Sequence, residues 1–290
     1  MACVQRAVLL LSLVLVAVAA QDQRTRQIIP EEFITARPAK GTLPVGRSEA
    51  YHRVGGSSYS QRSAPSGLAQ VGMTIWRLRP AKDADSGVRL LIQEGSRTSE
   101  WIPERVQTGT LLRQDDCIRL SFESANEGYL YVIDREQYAD KRLGEPYLIF
   151  PTTRTRSGDN SVKPGRIIEI PGQEDRPNYL TVRPSRSNQT GELLSVIVSP
   201  QPLEGIVPES EAQRLSAVQV ASWEKKWSTS AERFELASGK GQPWTKAEQE
   251  AGASGTRLLA QDEPGPQTIY RIAVREKRPL LFNVRLRYTR

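Results

Sequence analysis

The amino-acid sequence predicts a mainly β protein: an antiparallel β-sandwich of the immunoglobulin-like type, with one amphipathic helix and a short second helix. Short runs of alternating apolar and polar residues follow one another after Gly72, and turn-forming residues separate them. No long helical pattern lies between these runs, which favours antiparallel pairing over a parallel sheet with crossover helices. A helical periodicity occurs only after Pro208 and again after Trp244.

The first twenty residues have the three parts of a secretory signal peptide. Arg6 is their only charge, an apolar run extends from Ala7 to Ala20, and small residues precede Gln21. Because a membrane-spanning helix needs about 20 apolar residues, the alternative of an uncleaved anchor is less favoured. We therefore expect residues 1–20 to be a signal peptide, with no transmembrane segment after cleavage. The expected location is periplasmic or extracellular.

Residues 21–71 are predicted to be a disordered or flexible arm. They contain four prolines, a Gly/Ser patch and few periodic apolar residues. Such a segment buries too little apolar surface to offset the entropy lost on ordering. Its composition favours a spacer over a specific binding arm.

Residues 72–207 are predicted to form the β-sandwich domain. Its most informative stretch is Asn126–Pro151, where Tyr129, Tyr131 and Ile133 alternate with residues of the opposite strand face. A polar loop, Arg135–Pro146, leads to a second apolar run. The predicted strands are Met73–Arg79, Val88–Gln93, Cys117–Glu123, Tyr129–Asp134, Tyr147–Phe150, Arg166–Ile170, Tyr179–Val182 and Leu193–Ser199.

Residues 208–290 are predicted to be a helix and C-terminal strands that pack on the same domain. Ser210 with Gln213 suggests that the helix Pro208–Trp227 begins at a capping box, with its two tryptophans directed at the sandwich. Thr245 with Glu248 suggests the second helix. The last strands are Thr268–Val274 and Leu280–Tyr288, and the latter has one apolar face and one face with arginines.

Catalytic and metal-binding sets are missing from the sequence. The only histidine, His52, lies in the predicted arm, where no fold would hold it beside a nucleophile. Once the signal peptide is removed, Cys117 is the one cysteine left, so neither a disulfide nor a zinc site of nitrogen and sulfur ligands is expected. Cys117 is interpreted as a small buried residue. The chain has no glycine-rich phosphate loop. We predict no catalytic residue, no metal and no cofactor.

Five residues are candidates for binding. Asp134, Arg135 and Glu136 belong to the end of a strand and its long polar loop, and Asp159 and Asn160 lie in another loop. Long polar connections often carry binding residues. Paired carboxylates near Asp134 and Glu136 also leave open an exported hydrolase acting on glycan. Solvated ion pairing is the commoner role for such residues.

The charge balance bears on partners. The net charge is +7, and arginines alternate with apolar residues in Arg285-Leu286-Arg287. A basic sheet face can attract nucleic acid, but the predicted export argues against that partner. A protein or an anionic envelope component is the better candidate. The alternative is an ordinary solvated sheet face.

Four segments together resemble one bacterial family. They are GYLYVIDRE at Gly128–Glu136, PYLIFPT at Pro146–Thr152, DNSVKPGRIIEIP at Asp159–Pro171 and SVIVSPQPL at Ser195–Leu203. Residues 110–203 thereby resemble domain-of-unknown-function family 4384, and the C-terminal part is similar to its stand-alone exported members of acidobacterial type. The resemblance implies a β-sandwich-like module and supplies no catalytic residues. The expected function is an exported, non-catalytic binding module; the alternatives are the hydrolase and a structural subunit of an envelope assembly.

Overall fold

Two β-sheets face each other in the computed structural model, which describes residues 31–39, 50–54, 67–274 and 278–289. The predicted signal peptide lies outside these residues. The helices are α1 (Glu31–Thr35), α2 (Ala217–Trp227) and α3 (Lys246–Ser254). The strands are β1 (Tyr51–Val54), β2 (Gly67–Pro80), β3 (Leu90–Glu94), β4 (Arg97–Val106), β5 (Leu111–Leu112), β6 (Cys117–Ser124), β7 (Gly128–Tyr138), β8 (Tyr147–Phe150), β9 (Ser161–Val162), β10 (Ile168–Ile170), β11 (Leu180–Thr181), β12 (Gln189–Ser199), β13 (Gln213–Arg214), β14 (Ala231–Leu236), β15 (Thr268–Val274) and β16 (Leu280–Tyr288).

The first sheet, sheet A, has the strand order β1-β14-β15-β2-β4-β3, and β6 joins it through β2 and carries β10 and β11. The second, sheet B, has the order β13-β8-β7-β12-β16-β5, with β9 on β7. The strands pair antiparallel, except that β5 runs parallel to β16. The prediction of a mainly β, antiparallel, two-sheet protein is confirmed.

The main core lies between the inner faces of the two sheets. Sheet A contributes the alternate residues Val71, Met73 and Ile75 of β2, and sheet B contributes Val132 of β7 and Val196 of β12, all buried. In β16, Phe282, Val284 and Leu286 point into this core while Asn283, Arg285 and Arg287 are exposed. The predicted two-faced pattern of the last strand is therefore confirmed. β15 and β16 complete sheets A and B respectively, so the C-terminal part belongs to the same sandwich.

A second apolar cluster lies on the outer face of sheet B, under α2. Val220 and Trp223 of α2 are buried against Tyr131 and Leu281 of the sheet. Trp227 is half-buried and stacks on Trp223, with ring centroids 5.6 Å apart. The predicted docking of the amphipathic helix on the sandwich is confirmed.

The start of α2 was predicted wrongly. Ser216, not Ser210, caps the helix and accepts a hydrogen bond from the Gln219 amide. The residues before it form β13, which pairs with β8. Backbone pairing with a sheet edge therefore overrides the capping signature at Ser210. The capping box of Thr245 and Glu248 is present at α3 as predicted.

Parts of the predicted flexible arm are ordered on the domain, so the prediction for residues 21–71 is wrong at these places. Phe33 of α1 and Tyr51 of β1 are buried with Phe234 of β14. β1 pairs with β14, and residues 67–71 belong to β2. A few widely spaced large side chains can fill gaps in a surface, and periodicity does not reveal them. The rest of the arm lies outside the described residues.

Three arginine–glutamate ion pairs are buried on the outer face of sheet A. They are Arg37–Glu123, Arg105–Glu248 and Arg119–Glu169. In each pair one side chain belongs to a strand of sheet A. The Arg37–Glu123 pair connects the sheet to residues 31–39, and the Arg105–Glu248 pair connects it to α3. The Arg119–Glu169 pair connects two strands of the sheet, β6 and β10. Together with residues 237–267, residues 31–39 form a covering layer over this face.

Arg37 illustrates how the covering layer is fixed. Its Nε and Nη2 donate to the two carboxylate oxygens of Glu123 at 2.8 and 2.7 Å, and Nη1 donates to the carbonyl oxygen of Glu263 at 2.8 Å. The side chain is almost fully buried. A guanidinium with these partners makes a bidentate, charge-assisted contact.

We expect Arg37→Ala to lower the free energy of unfolding by about 3–5 kcal/mol, because Glu123 would remain buried without its countercharge. Arg142→Ala removes an exposed partner of Asp140 and should change the free energy of unfolding by less than about 0.5 kcal/mol. Urea denaturation of both variants measures the difference. If the urea midpoint of Arg37→Ala equalled that of the wild type, the interpretation of these residues as a flexible arm would be restored.

We expect Trp223→Ala to cost about 3–5 kcal/mol, since it removes a buried indole from the α2 cluster. Val218 of the same helix is 80 % exposed, so Val218→Ala serves as the matched control and should cost less than about 0.5 kcal/mol. Thermal or chemical unfolding of the two variants tests this. Equal effects would mean that α2 does not dock through its tryptophan.

Candidate functional site

The five predicted binding residues do not converge. β7 extends to Tyr138, so Asp134, Arg135 and Glu136 lie on a strand and not in a loop. Because side chains alternate along a strand, Asp134 and Glu136 point to the inner face and Arg135 to the outer face. Asp159 and Asn160 lie near the start of the same strand, several residues away. The structure therefore does not bring the five candidate residues together in one site.

Arg135 anchors α2 to sheet B. Its guanidinium pairs with Glu224 of α2, and Nη2 donates to the Ser195 hydroxyl at 3.0 Å. That hydroxyl donates in turn to Asn283 Oδ1 at 2.8 Å. The chain of contacts crosses three strands of the outer face. Arg135 thus has a structural role.

Asp159 and Asn160 bind other residues of the fold. The Asp159 carboxylate pairs with Arg166 at 2.7 Å and accepts from the Ser161 amide at 3.0 Å. Asn160 Nδ2 donates to the carbonyl oxygen of Leu130 at 2.9 Å. These bonds fasten the loop before β9 to the edge of β7.

Asp134 and Glu136 belong to a cluster of carboxyl groups whose third member, Glu192, was missed. Glu192 of β12 lies directly opposite Glu136 in the register of the two strands. Gln189 Nε2 and the Tyr288 hydroxyl donate to Glu192 Oε1 at 2.7 and 2.9 Å. The sequence did carry a signal, since Glu192 shares its strand face with core residues. The predicted strand began one residue too late to include it.

Burial changes the protonation of this cluster. Removal from water raises the pKa of Asp134 to about 7, and the charge of Glu136 adds to the increase. Burial likewise raises the pKa of Glu192 to about 8, and the charge of Asp134 adds to it. Asp134 Oδ1 and Glu192 Oε2 are both buried acceptors with no donor among the described residues. A proton held between the two carboxyl groups would satisfy both oxygens, and we call Asp134 and Glu192 the carboxyl pair.

The carboxyl pair is not arranged for glycan hydrolysis. Asp134 Oδ1 and Glu192 Oε2 are buried from water, whereas the two carboxylates of a glycosidase must reach the glycosidic bond and a water molecule. Nor do three acidic, histidine or cysteine side chains of the described residues come together as metal ligands. His52 is exposed on β1, and Cys117 is half-buried on β6. The chemistry available to the pair is the storage of a proton.

A groove of about 450 Å³ lies beside the part of β16 that the two-residue strand β5 leaves uncovered in sheet B. Sheet A continues past this point, because β14 and β1 follow β15 in its strand order. The groove therefore has the edge of β16 on one side and the inner face of β14 and β15 on the other. Its lining residues are Thr108, Gly109, Leu193, Arg233, Tyr270, Asn283, Val284, Arg285 and Arg287. We call it the arginine groove.

The arginine groove is basic. Arg285 and Arg287 are exposed, and neither forms an ion pair with any described residue. Arg233 has one acidic neighbour, Glu235, at 3.8 Å. Burial raises the pKa of this Glu235 carboxyl. The lining thus presents three guanidinium groups to a ligand.

Within the described ranges, no helix is long and apolar enough to span a membrane. No protein-family model, curated protein or solved structure matches the chain. The groove and the carboxyl pair are two features of the described residues on which a functional hypothesis can be based.

The carboxyl pair predicts a pH dependence of stability. Because both pKa values are higher in the folded chain than in the unfolded chain, the folded chain binds more protons between about pH 4 and 8. Stability therefore falls as the pH rises from about 4, and it levels off above about 8, where the carboxyl groups of the folded chain have also ionised. Between pH 5 and 8, the free energy of unfolding of Glu192→Gln should fall by at least about 1.4 kcal/mol less than that of the wild type. This difference corresponds to a shift of one pKa unit.

The matched control is Glu145→Gln, which neutralises a carboxylate that is 53 % exposed and paired with Arg214. Its denaturation midpoints should follow those of the wild type at each pH. Parallel curves for Glu192→Gln and the wild type would mean that the carboxyl pair holds no proton at neutral pH.

Proposed function

We propose that the chain is an exported, non-catalytic β-sandwich module that binds a protein or an anionic component of the cell envelope. The observation that carries this proposal is the arginine groove, where Arg233, Arg285 and Arg287 surround a concave space at a sheet edge. Concave sites of roughly 300–1,000 Å³ are the usual size for ligand binding. The resemblance of residues 110–203 to domain-of-unknown-function family 4384 supports the same class of protein.

The electrostatics of the groove favour an anionic partner over a neutral one. Guanidinium groups at a concave edge attract carboxylates and phosphates from a distance and bind them in a bidentate manner, and Arg285 and Arg287 form no ion pair with a described residue. The net charge of +7 adds to this attraction. With export as part of the proposal, nucleic acid is not the expected partner.

The two other functions have less support. A hydrolase would need two carboxylates that face a cleft, whereas Asp134 Oδ1 and Glu192 Oε2 are buried. A structural subunit would need a large continuous apolar surface. The exposed large apolar side chains of the described residues are scattered over different elements: Leu68, Leu91, Leu111, Leu143, Tyr147, Val207 and Val218.

The proposal predicts that residues 21–290 bind a fluorescent poly-L-glutamate probe, measured by anisotropy, and that binding weakens with added salt. The double variant Arg285→Glu with Arg287→Glu should weaken binding at least about tenfold, because it reverses the charge of the groove. Poly-L-lysine should not bind.

The matched control changes two exposed arginines by the same four charge units. Arg142 is in the turn after β7, and Arg214 lies on β13, at the edge of sheet B opposite to β16. Arg142→Glu with Arg214→Glu should leave affinity within about threefold. Equal weakening by both double variants, or no binding by the wild type, would contradict the proposed function.

A further inference from the structure

The edge of β16 is open over part of its length. At one end Leu281 is bridged to Ser228, and the Thr229 amide donates to the Leu281 carbonyl oxygen at 3.1 Å. At the other end Arg287 and Tyr288 pair with the two residues of β5. Between them, no described strand pairs with this side of β16. The gap runs from Phe282 to Leu286.

The backbone groups in the gap can be assigned. The Leu281 carbonyl points to the open side, and the direction of the peptide groups alternates along a strand. Asn283 and Arg285 therefore direct their N–H and C=O groups to the same side. Neither has a backbone partner there among the described residues. An unpaired row of donors and acceptors is a template for another strand.

The wall of the arginine groove opposite β16 would pack against such a strand. The inner face of β14 and β15 continues beneath the gap, so a strand placed beside β16 would extend sheet B over sheet A. Tyr270 in this wall is 4 % exposed and packs its ring on Phe282 at 4.6 Å. The Tyr270 hydroxyl lies near the Thr108 hydroxyl, which forms a hydrogen bond with Thr268 Oγ1 at 2.9 Å. Among the described residues, no well-formed hydrogen bond satisfies the Tyr270 hydroxyl.

The positive charge of the arginine groove favours an acidic strand as its occupant. Arg285 stands on the outer face within the gap, and Arg287 stands on the same face beside β5. Acidic side chains on the outer face of an added strand would therefore lie opposite Arg285 and diagonal to Arg287. The sequence segments of this chain outside the structure do not suit the groove, because residues 21–30, 40–49 and 55–66 each contain more arginine and lysine than acid. A second copy of β16 would bring like charges together.

We propose that an extended segment of a partner protein, acidic at alternate positions, adds to the edge of β16 as a strand within the arginine groove. Main-chain hydrogen bonds to Asn283 and Arg285 supply a sequence-tolerant part of the affinity, and the arginines select acidic side chains. This inference rests on the proposed function and specifies its partner and binding mode.

The test uses residues 21–290 and a fluorescent eight-residue peptide in which Glu and Thr alternate. Two further peptides of the same sequence carry N-methyl groups on either the Glu amides or the Thr amides. In an added strand only one of these sets faces β16. One methylated peptide should bind at least about tenfold more weakly than the parent, and the other should stay within about threefold.

Amide exchange gives the second measurement. The parent peptide should slow exchange of the Asn283 and Arg285 amides at least about tenfold, and it should leave the Val284 amide, which faces β12, unchanged. Equal loss for both methylated peptides, no protection of these amides, or no binding of the parent peptide would overturn the inference. A dimer that protects the same amides without peptide would also overturn it. If poly-L-glutamate binding still depends on Arg285 and Arg287, the proposed function survives that failure.

Discussion

The outer face of sheet A depends on three charge pairs that water does not reach. Arg37, Arg105 and Arg119 each face a glutamate, and every one of these six side chains is 5 % exposed or less. An unpaired buried charge is far more costly than a paired one, so neither the sheet nor its covering layer is stable with only half of these groups in place. Glu123 also accepts from the Gly165 amide at 3.0 Å, which connects the loop before β10 to the same network.

Aromatic rings complete this arrangement. The Arg105 guanidinium lies 5.0 Å from the ring centre of Trp76, and that of Arg119 lies 5.9 Å from the ring centre of Trp244. The indole N–H of Trp76 donates to the Ser121 hydroxyl at 3.0 Å, so the ring is buried without an unsatisfied donor. Gly252 of α3 is required here, since a Cβ atom would come within 2.4 Å of the Glu169 carboxyl carbon. The covering layer is thus fitted to the charges and not only to an apolar surface.

Much of the fold could be predicted from the sequence, because alternation is a local property. The strands Tyr147–Phe150, Thr268–Val274 and Leu280–Tyr288 were predicted with their observed bounds. β4 was missed because its first half is exposed and charged and a proline interrupts its apolar half. Residues 31–39 were missed for another reason: Phe33 and Arg37 are ordered by partners more than 80 residues away in sequence.

The candidate site was less predictable. Asp134 and Glu136 could be chosen from the sequence as acids at the end of a strand and in the loop after it, but their partner Glu192 depends on the register of β12. The arginine groove depends on the order of strands in two sheets, which no local pattern contains. Arg285 and Arg287 are visible in the sequence; the open edge beside them is a consequence of where sheet B ends.

The pairing of β2 with β15 and of β12 with β16 has a consequence for the order of folding. β2 meets β15 across roughly 200 residues of chain, and β12 meets its neighbour β16 only after residue 280 is available. Contacts this distant in sequence form late, because a long loop must close first. Neither sheet is complete until the last two strands have been synthesised. The sandwich therefore closes only once residues 280–288 are available, and this step creates both the core beneath Phe282 and the open edge of the same strand.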